Sequence, residues 1–209
     1  ILVEKNKVMN LTSITEIKEF TYKHFIDSIA LEKMVKDLGS NNYNIADLGT
    51  GSGFPGIPLA IVYPNLNLTL IDSLNKRIKF IKETCDILDI KNVNAIHSRA
   101  EDIDRNKDYR EKFDICVSRA VANLASLSEY CLPLVKVGGS FISYKSKGYE
   151  VETVEAQKAI KVLGGEIGNI EKFELGEYGE RILLDIKKIK ATPNKYPRKA
   201  GLPTKEPIK

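Results

Sequence analysis

The residues best suited to chemistry lie between Asp47 and Ala60, where the chain reads DLGTGSGFPGIPLA. An apolar run, YNIA, precedes Asp47, and IPLAIV follows the glycines, so the stretch joins a strand to a helix. A turn this bare lets backbone amides approach a ligand closely. Three templates can be tested letter by letter. A P-loop needs G-x-x-x-x-G-K-[ST]; Gly51 and Gly56 have the spacing, but Ile57 and Pro58 replace the lysine and the hydroxyl. A dinucleotide fingerprint needs G-x-G-x-x-G; Gly49 and Gly51 begin it, but Phe54 stands where the third glycine belongs. What remains is D-x-G-x-G-x-G, formed by Asp47, Gly49, Gly51 and Gly53.

That pattern resembles motif I of the class I methyltransferases, which hold S-adenosylmethionine, a nucleoside joined to an amino acid. Asp47, at the strand end, is placed to hold a cation or a loop amide at the amino-acid end. Phe54 is placed to close over an adenine or to line the thioether pocket. Asp72 ends the second strand, where a carboxylate accepts two hydrogen bonds from a ribose diol; the other reading is a cap for the next helix, for which Ser73 serves equally well. SRAED (98–102) follows the third strand. In methyltransferases an acid there, or its backbone neighbour, meets the adenine amino group, which makes Ala100 and Glu101 the candidates. The fourth strand ends in SRAVANL, which sets Arg119 facing donor and substrate.

These residues need a scaffold that aligns strand ends. Strands are expected at 44–48, 66–72, 92–97, 113–118 and 139–145, and helices at 56–63, 74–89, 123–135 and 150–163. Alternating strands and helices predict a mostly parallel sheet covered on both faces. The segments 164–175 and 180–190 leave little room for a helix between them and read as a closing antiparallel pair. Residues 1–40 read as a helical segment, with SITE (Ser13 to Glu16) spaced as a capping box. The methyltransferase domain is expected over 41–190. His24, Asp27 and Ser28 mimic a hydrolase triad, but a helix-borne serine lacks the elbow and oxyanion hole that a nucleophile needs. His24 and Asp27 therefore read as an inter-element hydrogen-bonded pair or as substrate-side residues.

Composition narrows the classes. No apolar run approaches the length of a membrane span. Cys85, Cys116 and Cys131 are too few and too widely spaced for a disulfide framework or a zinc site, so they read as buried thiols of a cytoplasmic protein. Two histidines argue against a histidine-rich metal centre, and no metal is expected. The chain opens on Ile1, so an N-terminal piece is expected to be absent. The net charge of +4 is concentrated in the last tenth of the chain, which also holds four prolines. Residues 191–209 therefore read as a solvated, partly disordered tail, or as an arm neutralising phosphates, with Tyr196 among Lys195, Arg198 and Lys199 available to stack on a base. Lys145 and Lys147, past the fifth strand, are plausible RNA contacts or simply solvated.

Several pieces together are distinctive: NKVMNLTSI, KHFIDSI, DLGTGSGFPGIPLAI, DSLNKRIKF, RAED, SRAVANL and KYPRKAGLP. They resemble the bacterial 16S ribosomal RNA guanine-N7 methyltransferases, the glucose-inhibited division protein B family, over nearly the whole chain. GFPGIPL and YPRKAG are the most specific. The resemblance implies a Rossmann-like class I fold, a seven-stranded sheet with an antiparallel last strand, S-adenosylmethionine as donor, and a guanine in the decoding region of small-subunit rRNA as acceptor. It implies cofactor contacts at Gly49, Phe54, Asp72, Ser73, Leu74, Ala100, Glu101 and Arg119, and no obligate protein partner. Family members usually carry about one more N-terminal helix, which this chain would lack or truncate. Guanine N7 has an in-plane lone pair and no proton, so its methylation needs alignment more than a general base. In keeping with that, SRAV stands where amino-group methyltransferases carry N/D-P-P-Y/F. Arg119 is expected to position guanine O6 or a phosphate, or else to tie the loop to the cofactor carboxylate. The rival readings are another α/β enzyme, either a different methyltransferase or a nicotinamide dehydrogenase, and a non-catalytic RNA-binding protein of the same fold. Gly53 followed by Phe54 weighs against the dehydrogenase, and the intact loop weighs against a dead scaffold.

Overall fold

A computed structural model describes residues 5–6, 14, 16–119 and 122–209. Its frame is one seven-stranded sheet in the order β3-β2-β1-β4-β5-β7-β6. The strands are β1 (Asn44–Leu48), β2 (Asn67–Asp72), β3 (Val93–His97), β4 (Phe113–Arg119), β5 (Val135–Lys145), β6 (Gly165–Glu174) and β7 (Glu180–Lys188). All neighbours pair in parallel except β7, which runs antiparallel to both β5 and β6. The expected mostly parallel sheet with a reversed last strand is therefore observed. Strand order reverses direction between β1 and β4, which leaves a crevice at the carboxyl ends of those two strands.

Successive strand residues enter opposite cores, as the pleat demands. Ala46, Cys116 and Phe141 belong to one cluster, while Ile45, Ile115 and Ile142 belong to the other. The first core is closed by helices α6 (Leu124–Cys131) and α7 (Tyr149–Val162), which supply Leu127, Cys131, Ala156 and Ile160. The second is closed by α3 (Gly56–Val62) and α4 (Asn75–Ile87), which supply Leu59, Ala60, Ile78 and Ile81, and a short helix, α5 (Ala100–Ile103), follows β3. Burial on both faces explains why these strands read as unbroken apolar runs. All three cysteines are buried free thiols.

Two element ends differ from expectation for identifiable reasons. The helix expected over 123–135 stops at Cys131, because Pro133 has no N–H to continue the ladder; a 3₁₀ turn, Leu132–Leu134, finishes it. β5 begins four residues before the expected Gly139. The register of β4 against β5 shifts between Phe113 and Ile115, Gly138 has φ 90°, and a Cβ on Gly139 would meet the Asp114 carbonyl oxygen at 2.4 Å. A glycine pair inside a strand marks such a close approach.

The N-terminal segment winds from α1 (Ile17–Phe20) through a wider π-helical stretch, Thr21–Ile26, into α2 (Asp27–Ile29) and a 3₁₀ turn, Ala30–Lys33. Glu16 caps α1, its carboxylate accepting from the Lys18 and Glu19 amides. The expected capping box falls on Ser13, outside the described residues.

Residues 191–209 differ most from the sequence expectation. They are docked against the domain, with Thr192, Tyr196, Pro197 and Pro203 buried. Arg110 donates to the carbonyls of Thr192 and Tyr196, and Arg105 to that of Pro197. Arg198 forks onto buried Glu129, and a last short helix, α8 (Leu202–Lys205), lies over α6. Polar ties to backbone carbonyls hold the segment, so its shortage of apolar residues did not leave it loose. No helix among the described residues is long and apolar enough to cross a membrane.

Candidate functional site

The glycine loop leaves β1 and returns as α3. Gly49, Gly51 and Gly53 all have positive φ (73°, 62° and 94°), which side-chain-bearing residues rarely adopt. The amides of Gly49 and Thr50 donate to the Ile71 carbonyl, which ties the loop to the end of β2. Asp47 pins it from below: its Oδ2 accepts from Thr50 Oγ1 at 2.6 Å and from the Gly56 amide at 2.8 Å. Of the roles expected for Asp47, the structure assigns the loop amide. Asp47 is fully buried, and burial raises its carboxyl to about 6 against the opposing effect of those two hydrogen bonds.

Asp72 is the hinge between loop and sheet. Its Oδ2 accepts from the Gly51 amide at 3.0 Å and from Arg77 Nη1 at 3.2 Å, and its Oδ1 accepts from the Leu74 amide at 2.8 Å. Around it opens a cleft of about 570 Å³, lined among others by Gly49, Asp72, Ser73, Ala100, Glu101 and Tyr130. A second cleft of similar volume adjoins it, and Ala122 lines both. The second is rimmed by Arg119, Lys145, Lys147 and Arg181 against Asp27 and Glu152, four cations to two carboxylates.

The first cleft thus gathers Gly49, Asp72, Ser73, Ala100 and Glu101 from the expected set. Gly51 and Leu74 reach it through their amides on Asp72. Phe54 and Arg119 do not line that cleft. Phe54 is buried under the N-terminal segment, stacked on His24 (4.7 Å between ring centres, 19° between planes) and edge-on to Phe20 and Phe25. Arg119 lies over the Phe54 ring at 5.5 Å. Its Nη1 donates to Asp27 Oδ2 at 2.8 Å and to the Lys23 carbonyl at 3.2 Å, and its Nη2 meets His24 Nδ1 at 3.3 Å. The π-helical stretch creates this arrangement. Its wider turn, with the Asp27 amide donating to the Tyr22 carbonyl, lets both His24 and Asp27 face Arg119. His24 and Asp27 are therefore an inter-element pair joined by Arg119. Burial first, and the Arg119 charge second, lower the His24 imidazole to about 4. Ser28 is turned away from any triad, its hydroxyl donating to the His24 carbonyl.

Of the tail residues expected at RNA, Tyr196 is buried and so has no face for a base, and Arg198 is committed to Glu129. Lys199 is exposed, and Lys195 is exposed with its ammonium over the Tyr196 ring. Lys145 is paired with Glu152 at 2.6 Å. Sequence reading missed Arg77, Tyr130 and Thr204 in the first cleft and Arg181 in the second. The only available signal was the distinctive KYPRKAGLP stretch, which marked the tail as more than a linker.

The family model described as GidB, rRNA small subunit methyltransferase G, matches residues 1–182. The chain belongs to the rRNA small subunit methyltransferase G family. It is similar to the ribosomal RNA small subunit methyltransferase G of Alkaliphilus oremlandii, with 53% identity over 213 residues covering 100% of this chain and 87% of that protein. The protein of the same name from Desulforamulus reducens is 51% identical over 209 residues, covering 100% and 86%. Among solved structures, an S-adenosylmethionine-dependent O-methyltransferase from Thermotoga maritima shares the fold at a TM-score of 0.61 and 17% identity, covering 92% of this chain and 73% of that one. A 16S rRNA (adenine(1408)-N(1))-methyltransferase mutant from Catenulisporales acidiphilia, with its cosubstrate, gives 0.59 at 12% identity, covering 78% and 92%. The fold of this G-family member is thus that of the class I methyltransferases. Among its described residues, no cluster of three or more histidines, cysteines or carboxylates could hold a metal.

Proposed function

We propose that the chain transfers the methyl group of S-adenosylmethionine to N7 of a guanine in the decoding region of 16S rRNA. The observation that carries the reading is the cleft at the carboxyl ends of β1 and β2, lined by Gly49, built around Asp72 and opening beside a cationic second cleft, in a chain of this family. About 570 Å³ is an ordinary volume for a site of this ligand class. A carboxylate offers about four acceptor sites, and Asp72 uses three, so Oδ1 keeps one for a ribose hydroxyl. Arg77, at 3.2 Å and partly exposed, is the partner that a second hydroxyl would displace from Oδ2. Gly49 would let the backbone meet the amino-acid end, and Glu101 with Ala100 would meet the adenine amino edge.

Held there by Gly49, Asp72, Ala100 and Glu101, S-adenosylmethionine would supply an electrophilic methyl, the new N7–carbon bond replacing the sulfur–carbon bond and the positive charge ending on the guanine ring. No proton moves at N7, so the protein's task is alignment and field. The second cleft suits the acceptor. Arg119, Lys147 and Arg181 favour the approach of phosphates and a guanine edge, and Arg119 is itself held in place by Asp27 and His24. Burial and the Arg119 charge leave the His24 imidazole beside it a weak base, lowered to about 4.

The test is incubation with labelled S-adenosylmethionine and unmodified small-subunit rRNA, followed by mass mapping of the product. One 7-methylguanosine in the decoding region is expected. A methyl group on another base, or no transfer despite cofactor binding, would refute the reading.

A further inference from the structure

The C-terminal segment reaches the donor cleft. Arg198 donates through Nε and Nη2 to both oxygens of Glu129, at 3.0, 3.0 and 2.7 Å, and its amide donates to Glu129 Oε1 at 2.7 Å. Glu129 is wholly buried, so this fork is the compensation for its charge. From that anchor the chain turns at Gly201, whose φ is 79° and whose amide donates to Glu101 Oε1 at 2.8 Å. Ser126 Oγ then donates to the Pro203 carbonyl at 2.7 Å, and Tyr130 and Thr204 share a hydroxyl–hydroxyl contact of 3.0 Å. Glu101, Tyr130 and Thr204 all line the first cleft. Thr204 itself is exposed.

We infer that residues 196–205 form the adenine-side wall of the donor cleft, with Thr204 touching the cofactor and Arg198 acting as a positioning residue rather than an RNA ligand. This rests on the donor-site reading above and deepens it. Adenine presents an amino donor and ring acceptors at its edge. Glu101 and the hydroxyls of Tyr130 and Thr204 offer the complementary groups. The amide of Gly201 occupies Oε1 of Glu101 and so fixes which way that carboxylate faces. Arg198 sets the reach of the segment, because a guanidinium fork fixes direction as well as distance.

The test measures binding of S-adenosylhomocysteine by calorimetry and of an unmodified 16S rRNA transcript by filter retention. Thr204→Trp places bulk in the cleft at an exposed position. It is expected to weaken S-adenosylhomocysteine at least tenfold, with ligand-free thermal unfolding and RNA affinity unchanged, while Thr204→Ser binds as wild type. Arg198→Lys keeps the charge but loses the fork. It is expected to raise the KM for S-adenosylmethionine several-fold at preserved kcat, again with RNA affinity unchanged. Wild-type cofactor affinity in Thr204→Trp, or lost RNA binding with intact cofactor affinity in Arg198→Lys, would overturn the wall and leave the donor site standing. Failure of the wild-type protein to bind S-adenosylhomocysteine would overturn the donor-site reading and the wall together.

Discussion

Replacing Arg119 by alanine removes the joint between the N-terminal segment and the sheet. The guanidinium makes one charged hydrogen bond to Asp27 at 2.8 Å, one to the Lys23 carbonyl at 3.2 Å and a contact with His24 at 3.3 Å. Asp27 is 4% exposed, and its Oδ1 has no hydrogen-bond partner. After the substitution its remaining cation would be Arg181, with Nε at 3.7 Å. Removing one partner of a buried pair costs about 3–5 kcal/mol when the other is left uncompensated. Arg181 compensates in part, so about 3 kcal/mol of lost stability is expected, including about 0.5–1 kcal/mol from the cation over Phe54. Burial already holds the Asp27 carboxyl above its ordinary value despite Arg119, so without Arg119 it should move further up. The assay is urea unfolding of wild type, Arg119→Ala, Asp27→Asn and the double variant. A coupling energy of about 2 kcal/mol is expected, because neutralising Asp27 removes most of the harm of losing Arg119. Additivity of the two single variants, or a loss below about 0.5 kcal/mol in Arg119→Ala, would refute the claim that this pair fastens the segment.

Two predictions concern pH, and they have opposite signs. The Asp47 carboxyl is raised in the folded protein to about 6 from 3.8, so the native state binds the extra proton between those values. Stability through this group therefore falls as pH rises from about 4 to 6. The difference corresponds to about 3 kcal/mol, and in Asp47→Asn the pH dependence of urea unfolding over that window should lose this downward slope. The His24 imidazole is lowered to about 4 from 6.5, so its contribution is present above pH 6.5 and is lost as pH falls towards 4. In NMR titrations its ring protons should stay put until near pH 4 and should shift at higher pH in Arg119→Ala; a midpoint near 6.5 in wild type would contradict its seat against Phe54.

Much of the site was legible because it depends on local backbone demands. Gly49, Gly51 and Gly53 occupy positive φ, and a sequence with glycine at those three places after a strand leaves few alternatives. The place of Asp72, a strand end beside such a loop, was legible for a similar reason, and its bond to the Leu74 amide fits the capping alternative as well. Phe54 was assigned to the cleft from its position in the loop alone. Its packing partners, Phe20, His24 and Phe25, lie some 30 residues earlier in a helical stretch whose extra-wide turn has no sequence mark. Tyr130 and Thr204 were illegible because their place in the cleft exists only once a tail meets a helix more than 70 residues away. The tail also misled through composition. Low apolar content predicts disorder when apolar burial is the main source of order, but here arginines bonded to backbone carbonyls, and one buried carboxylate, supply it.

The N-terminal and C-terminal segments solve the same physical problem, one at each cleft. Apolar packing, such as Phe20 against Phe54, holds the N-terminal segment but is not directional. Each end instead brings an arginine and a carboxylate together: Arg119 with Asp27 at the second cleft, Arg198 with Glu129 at the first. Both carboxylates are nearly or wholly buried, so each pair has one arrangement that avoids an uncompensated charge. A guanidinium fork adds direction to that penalty, which a lysine would not. The walls are therefore fixed in position beside two clefts that share Ala122 in their lining.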